Sequence, residues 1–243
     1  MILPGKGPGG NLLSEGMSHF STILLIEQVK GLSDRIEFCK RIEENYGDSR
    51  QVDSEKPMVK IDGTKPGDTT VTYDKMGWVV WMLLHEMGRD NLMRGLRDFQ
   101  TAYGESPDHP VLQDLTAFLR PYAQDPVAYD AFVKQWFHEV VVPEYTLADA
   151  KKTGTSGVFE VAVKVTNKGK ATMPITIAAA KGERFDDKGV AQADYKDART
   201  DLTLAAGETK DVTVRCDFDP DRVLVDPDAI VLQLRRKTAV AKL

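Results

Sequence analysis

The sequence predicts an α+β chain, with helices over residues 1–147 and a small antiparallel, immunoglobulin-like β-sandwich over residues 148–243. Three observations carry that prediction. Apolar residues recur at helical spacing as far as Phe137. Near Pro143 the period drops to two and stays there. The 243 residues are enough for two ordinary domains.

The helices follow in order. Asn11 to Lys30 reads as the first, entered from a Gly/Pro loop and closed by Gly31. Ser33 is placed to cap a second helix that runs to about Tyr46, with Gly47 past its end. Asp48 to Thr70 is polar and punctuated by Pro and Gly, which marks a long connection. Thr72 to Met87 reads as a third helix. Its run from Trp78 to Leu84 is apolar on all sides, so that helix is expected to be buried all round. Leu92, Leu96, Phe99 and Tyr103 form the next stripe, and Leu112, Leu115 and Leu119 another. Asp125 followed by Pro126 is a cap with proline at the first helical position. The helix it opens carries Phe132, Val133, Trp136 and Phe137.

The strands are predicted from strict alternation. Phe159, Val161, Val163 and Val165 form one set, and Met173, Ile175 and Ile177 the next. Leu202 and Leu204 follow, then Val212, Val214, Cys216 and Phe218, and finally Ile230, Leu232 and Leu234. Turn signals at Asn167-Lys168-Gly169, Ala206-Gly207-Glu208 and Asp219-Pro220 separate them.

Composition excludes several functions. The formal charge is -5, acidic and basic residues are interspersed, and no basic stripe marks a nucleic-acid partner. No apolar run approaches the ~20 residues of a membrane span, and the N-terminus lacks the charged start and apolar core of a signal peptide. Localisation is therefore unassigned: this piece reads as soluble, and a longer parent would bring its own address. Cys39 and Cys216 read as two buried thiols rather than a disulfide framework. Gly5-Lys6-Gly7-Pro8-Gly9-Gly10 matches G-x-G-x-x-G, but no strand precedes it and no βαβ unit surrounds it, so it reads as a loop. His85-Glu86 begins an H-E-x-x-H, but the second histidine position is Arg89.

Glu15 sits in the first turn of the first helix, where the helix dipole favours a carboxylate. His19 lies one turn later on the same face. Tyr73 begins another helix directly before Asp74-Lys75. None of His19, His85, His109 and His138 pairs with another at metal-ligand spacing.

Taken in order, these pieces resemble the aminopeptidase N family of gluzincin metallopeptidases. Leu12-Leu13-Ser14-Glu15-Gly16-Met17 resembles the family's L-N-E-G-F segment, and Tyr73-Asp74-Lys75-Met76-Gly77 its Y-E-K-G segment. Phe132 to Trp136, followed by Pro143, looks like the F-x-x-W…P ending of the catalytic domain. Ser14, Met17 and Met76 depart from the family residues. The resemblance implies a helical remainder of a catalytic domain followed by a β-sandwich, with Glu15 as third zinc ligand and Tyr73 as donor to the oxyanion.

The implied reaction is peptide hydrolysis by zinc-activated water, with peptide as the partner. Zinc in that family is held by two histidines of an H-E-x-x-H helix and the later glutamate. That helix is absent from this sequence and would lie before Met1, as would the G-x-M-E-N element that reads the substrate's amino terminus. The expectation is that these residues alone neither bind zinc stoichiometrically nor hydrolyse peptides, because one carboxylate cannot hold the metal tightly. The first helix is apolar around much of its circumference, at Leu12, Leu13, Ile23, Leu24, Leu25 and Ile26. It calls for a neighbour, either a preceding part of the same protein or another chain. The reading from another class is a non-catalytic binding or scaffold protein descended from that family.

Overall fold

A computed structural model describes residues 3–155 and 157–243. The chain is α+β, helices first and antiparallel sheets after, and it divides into two compact units. The first takes residues 3–31 and 37–141, the second residues 32–36 and 142–243. The strands begin at Tyr145, inside the range that the sequence assigns to the helical part.

In the helical unit, a 3-10 turn at Gly10–Leu13 leads into α1 (Glu15–Lys30), which ends at Gly31 with a φ of 94°. Leu12 and Leu13 therefore precede α1 rather than belonging to it. Helix α2 (Leu32–Ser49) runs through Gly47 and ends at Arg50. Ser33 does not cap it, because the chain is already helical at Leu32. A single turn, α3 (Asp68–Thr70), continues into a π-helical stretch, Val71–Lys75, and then into α4 (Met76–Met87). Trp78 to Leu84 are all buried, as an all-round apolar helix requires. Helices α5 (Arg89–Tyr103), α6 (Leu112–Leu119) and α7 (Pro126–Phe137) follow. Asp125 caps α7, accepting from the backbone N–H groups of Val127 and Ala128 at 2.9 and 3.0 Å.

The second unit holds two antiparallel sheets. The first, in the order β1-β2-β5, joins Tyr145–Thr155, Val158–Asn167 and Thr209–Cys216. The second, in the order β4-β3-β6-β7, joins Lys196–Leu204, Met173–Lys181, Arg222–Val225 and Val240–Lys242. Val161, Val163 and Val165 turn inward on β2, and Ile175 and Ile177 on β3.

Residues 230–234 are not the closing strand that their alternation predicts. The Asp226 carboxylate accepts from the N–H groups of Ile230 and Val231 at 2.9 and 3.0 Å, which curls the chain into a turn. Ala229 there takes a φ of 50°. Only Leu234 makes a bridge, to Glu144. Arg35, at the start of α2, donates to the carbonyls of Asp228 and Ala229. Those bonds tie residues 32–36 to this unit.

Candidate functional site

The site is built where α1 crosses the start of α4. Gly16 and Gly77 let the two backbones approach. A Cβ on Gly16 would lie 2.2 Å from Met76 Cγ and 2.8 Å from the Thr72 carbonyl oxygen, and one on Gly77 2.7 Å from His19 Cβ. No side chain fits at either crossing point. The close approach sets the first turn of α1 against the π-helical stretch.

Glu15 and Tyr73 meet there. The Glu15 carboxylate lies close enough to the Tyr73 phenol to raise its pKa above the ordinary tyrosine value. Both residues are half-buried. The π turn matters for the aim of Tyr73. Each π residue advances less than the 100° of an α-helix, so the stretch rephases every side chain in it, and such turns concentrate at functional sites.

His19 packs edge-on against Tyr73, with ring centroids 5.4 Å apart and planes at 64°. Its Nδ1 faces Asp74 Oδ1 at 3.4 Å without forming a hydrogen bond. Asp74 is 4% exposed. Its Oδ2 accepts from the Asn45 amide and from the Thr70 hydroxyl. These groups line a cavity of about 390 Å³ bounded by His19, Asn45, Ser49, Gly67, Thr69, Thr70, Tyr73 and Asp74.

Behind the π stretch lies a buried ionic cluster. Lys75 Nζ donates to Glu55 Oε1 at 2.8 Å, Arg50 Nε to Glu55 Oε2 at 2.8 Å, and the Tyr46 hydroxyl to Glu55 Oε1 at 2.8 Å. The Lys75 side chain is 0% exposed and that of Glu55 1%. Burial pushes the Glu55 carboxyl upward, but the Lys75 and Arg50 cations and the Tyr46 hydroxyl outweigh it and hold it below the ordinary glutamate value. The cluster clamps the backbone two residues from Tyr73.

The sequence reading singled out Glu15, His19 and Tyr73, and the fold brings them together. It did not single out Asp74, Asn45, Thr70, Glu55 or Lys75 as site residues. A signal existed for two of them: Asp74 and Lys75 are charges at the entrance of an otherwise all-apolar helix. Asn45 and Glu55 gave none, since one ends a polar helix and the other sits in a loop. His85 stays outside the site and packs edge-on against Trp81, with ring centroids 4.6 Å apart. The glycine-rich segment at residues 5–10 is a packed turn, held by Lys6 N–H to the Pro110 carbonyl at 3.0 Å and Gly9 N–H to the Ile61 carbonyl at 2.6 Å.

A zinc site needs three protein ligands around an open position. Glu15 offers one. Among the described residues, no group of three or more His, Cys, Asp or Glu side chains could hold a metal ion. The residues here do not fit zinc by themselves. No helix among the described residues is long and apolar enough to cross a membrane.

No family model matches this sequence. No curated protein matches it either. Among solved structures, the chain is similar to the CARDB domain of a Pyrococcus furiosus protein in complex with di-metal ions, with 18% identity and a TM-score of 0.29 over 43% of this chain and 93% of that one. It is also similar to DesR, a β-glucosidase from Streptomyces venezuelae, with 22% identity and a TM-score of 0.28 over 44% of this chain and 15% of that enzyme. A third is β-glucosidase 3B from Thermotoga neapolitana, with 11% identity and a TM-score of 0.27 over 42% and 16%.

Proposed function

We propose that this chain carries part of the active site of a zinc metallopeptidase of the aminopeptidase N type. Glu15 would be the metal-ligating carboxylate and Tyr73 the donor to the oxyanion. The observation that carries this reading is the convergence of those two residues, far apart in sequence, close enough for the Glu15 carboxylate to raise the pKa of the Tyr73 phenol. The resemblance marks both motifs, and a metal-bound substrate carbonyl would need its ligand and its oxyanion donor side by side. The residues that support them fit the same role. Gly16 and Gly77 permit the approach, and the Lys75–Glu55 pair holds the tyrosine's backbone.

The chemistry these residues carry by themselves is that of a phenol beside a carboxylate. A preorganised donor of this kind is worth ~10²–10³ in kcat when aimed at the developing oxyanion. The histidines and the general base of the reaction are not among the 243 residues.

The deciding experiment is the intact mass and N-terminal sequence of the product isolated from its native cells. A product that carries H-E-x-x-H shortly before residue 1 is expected to hydrolyse peptides with bound zinc. In it, Tyr73→Phe should lower kcat about 100-fold or more while zinc content is unchanged, and Glu15→Gln should lose the zinc. A product that begins at residue 1 and shows no metal and no hydrolysis would remove the peptidase reading and turn the search to binding.

A further inference from the structure

The cavity beside Tyr73 has a chemistry that the peptidase reading does not use. Its walls include no lysine and no arginine. Asp74 brings a carboxylate to the wall, and among the described residues the basic side chain paired with it within 4.0 Å is His19. By contrast Glu55, whose side chain is also buried, is matched by Lys75 and Arg50. A buried carboxylate without a firm cationic partner favours a cation from outside. The other lining residues include three that carry hydroxyls, Ser49, Thr69 and Thr70, and one amide, Asn45.

The geometry also chooses between cations. Asp74 Oδ2 is already taken by Asn45 and Thr70, which leaves Oδ1. A guanidinium binds best through a fork that uses both carboxylate oxygens. An ammonium is a compact three-donor group that needs one carboxylate oxygen and neighbouring hydroxyls. At about 390 Å³ the cavity is at the small end of ligand sites and suits one side chain or chain end.

We infer that this cavity is a subsite for a primary ammonium group, with Asp74 as its anionic partner. The carrier of that group, a peptide, rests on the peptidase reading. Two sources share the chemistry, a lysine side chain and a free amino terminus.

The test is an NMR titration of the 243-residue chain with a chelator present, followed at the Thr69 and Thr70 amides and the His19 ring. The probes are N-acetyl-lysine N-methylamide, its arginine and norleucine counterparts, and norleucine N-methylamide with a free amine. The lysine probe is expected to bind at least tenfold more tightly than the acetylated norleucine probe, with arginine between them. Tight binding of the free-amine probe instead would assign the site to a chain terminus. Asp74→Asn should abolish the preference. Thr69→Lys, at an exposed position on the rim, should do so without touching the Asp74 hydrogen bonds.

Equal binding of the acetylated lysine and norleucine probes, with no gain for the free amine, would overturn the inference. So would a preference that survives in both folded variants. No hydrolysis enters the measurement, so the two readings fail separately. An ammonium preference without peptidase activity in any longer product removes the peptidase alone, and hydrolysis without the preference removes the subsite alone.

Discussion

At the scale of single residues, the buried Lys75–Glu55–Arg50 cluster is costly to disturb. Removing one partner strands a charge away from water, so Lys75→Met is expected to destabilise the helical unit by about 3–5 kcal/mol, measured by urea denaturation. The cluster also sets an acid response. Glu55 titrates below its ordinary value of 4.5 in the folded state. Its stabilising contribution is therefore full above that ordinary value and is lost as pH falls through the folded one. The gap in stability between the native protein and Glu55→Gln should be widest at neutral pH. It should close as the solution is acidified below ~4.5, and a gap that stayed constant with pH would contradict this account.

At the scale of elements, the crossing of α1 over the start of α4 is the construction on which the site depends. Gly16→Ala puts a methyl group within 2.2 Å of Met76 Cγ and within 2.8 Å of a backbone carbonyl, and backbone cannot rotate away. The expected cost is about 1–3 kcal/mol, read by thermal unfolding. The Tyr73 phenol should titrate closer to its free value as Glu15 is pushed from it. Much at this scale was legible in the sequence. The stripes of α5 and α6 and the cap and stripe of α7 follow from their residues, and strands β2, β3 and β5 follow from alternation. Three strands were not legible, for separate reasons. β1 is largely polar and exposed, with a bulge between Ala148 and Lys151, and it is held by its backbone ladder to β2 rather than by an apolar face. β6 and β7 have four and three residues, too few to display a period. Residues 230–234 misled in the other direction, since their alternating residues lie in a turn organised by Asp226 and, of Ile230, Leu232 and Leu234, Leu232 alone is fully buried. In the site, each residue's chemistry was readable but the meeting of Glu15 with Tyr73 was not. Helix spacing orders residues along one element and is silent about which element crosses it. The glycines at 16 and 77 were the one trace of that crossing.

At the scale of the whole molecule, each unit encloses its own core, and the probes of folding divide between them. Trp78, Trp81 and Trp136 are buried in the helical unit, and the other unit contains no tryptophan. Asp226 in the second unit is 4% exposed and holds Arg236 at 3.0 Å as well as the turn at residues 230–231. Asp226→Ala is expected to destabilise that unit by about 3–5 kcal/mol. Its strand signal in circular dichroism should melt earlier, with little change in the tryptophan fluorescence transition. Coincident shifts in both signals would show that the two units unfold as one. The placement of the thiols extends this further. Cys39 lies in the helical unit and Cys216 in the other, both are buried, and neither is in a disulfide. A buried thiol reacts with an alkylating reagent only when its surroundings open. The two cysteines therefore act as a pair of internal clocks. Mass spectrometry of tryptic peptides after timed alkylation would give two opening rates from one sample, with no residue substituted.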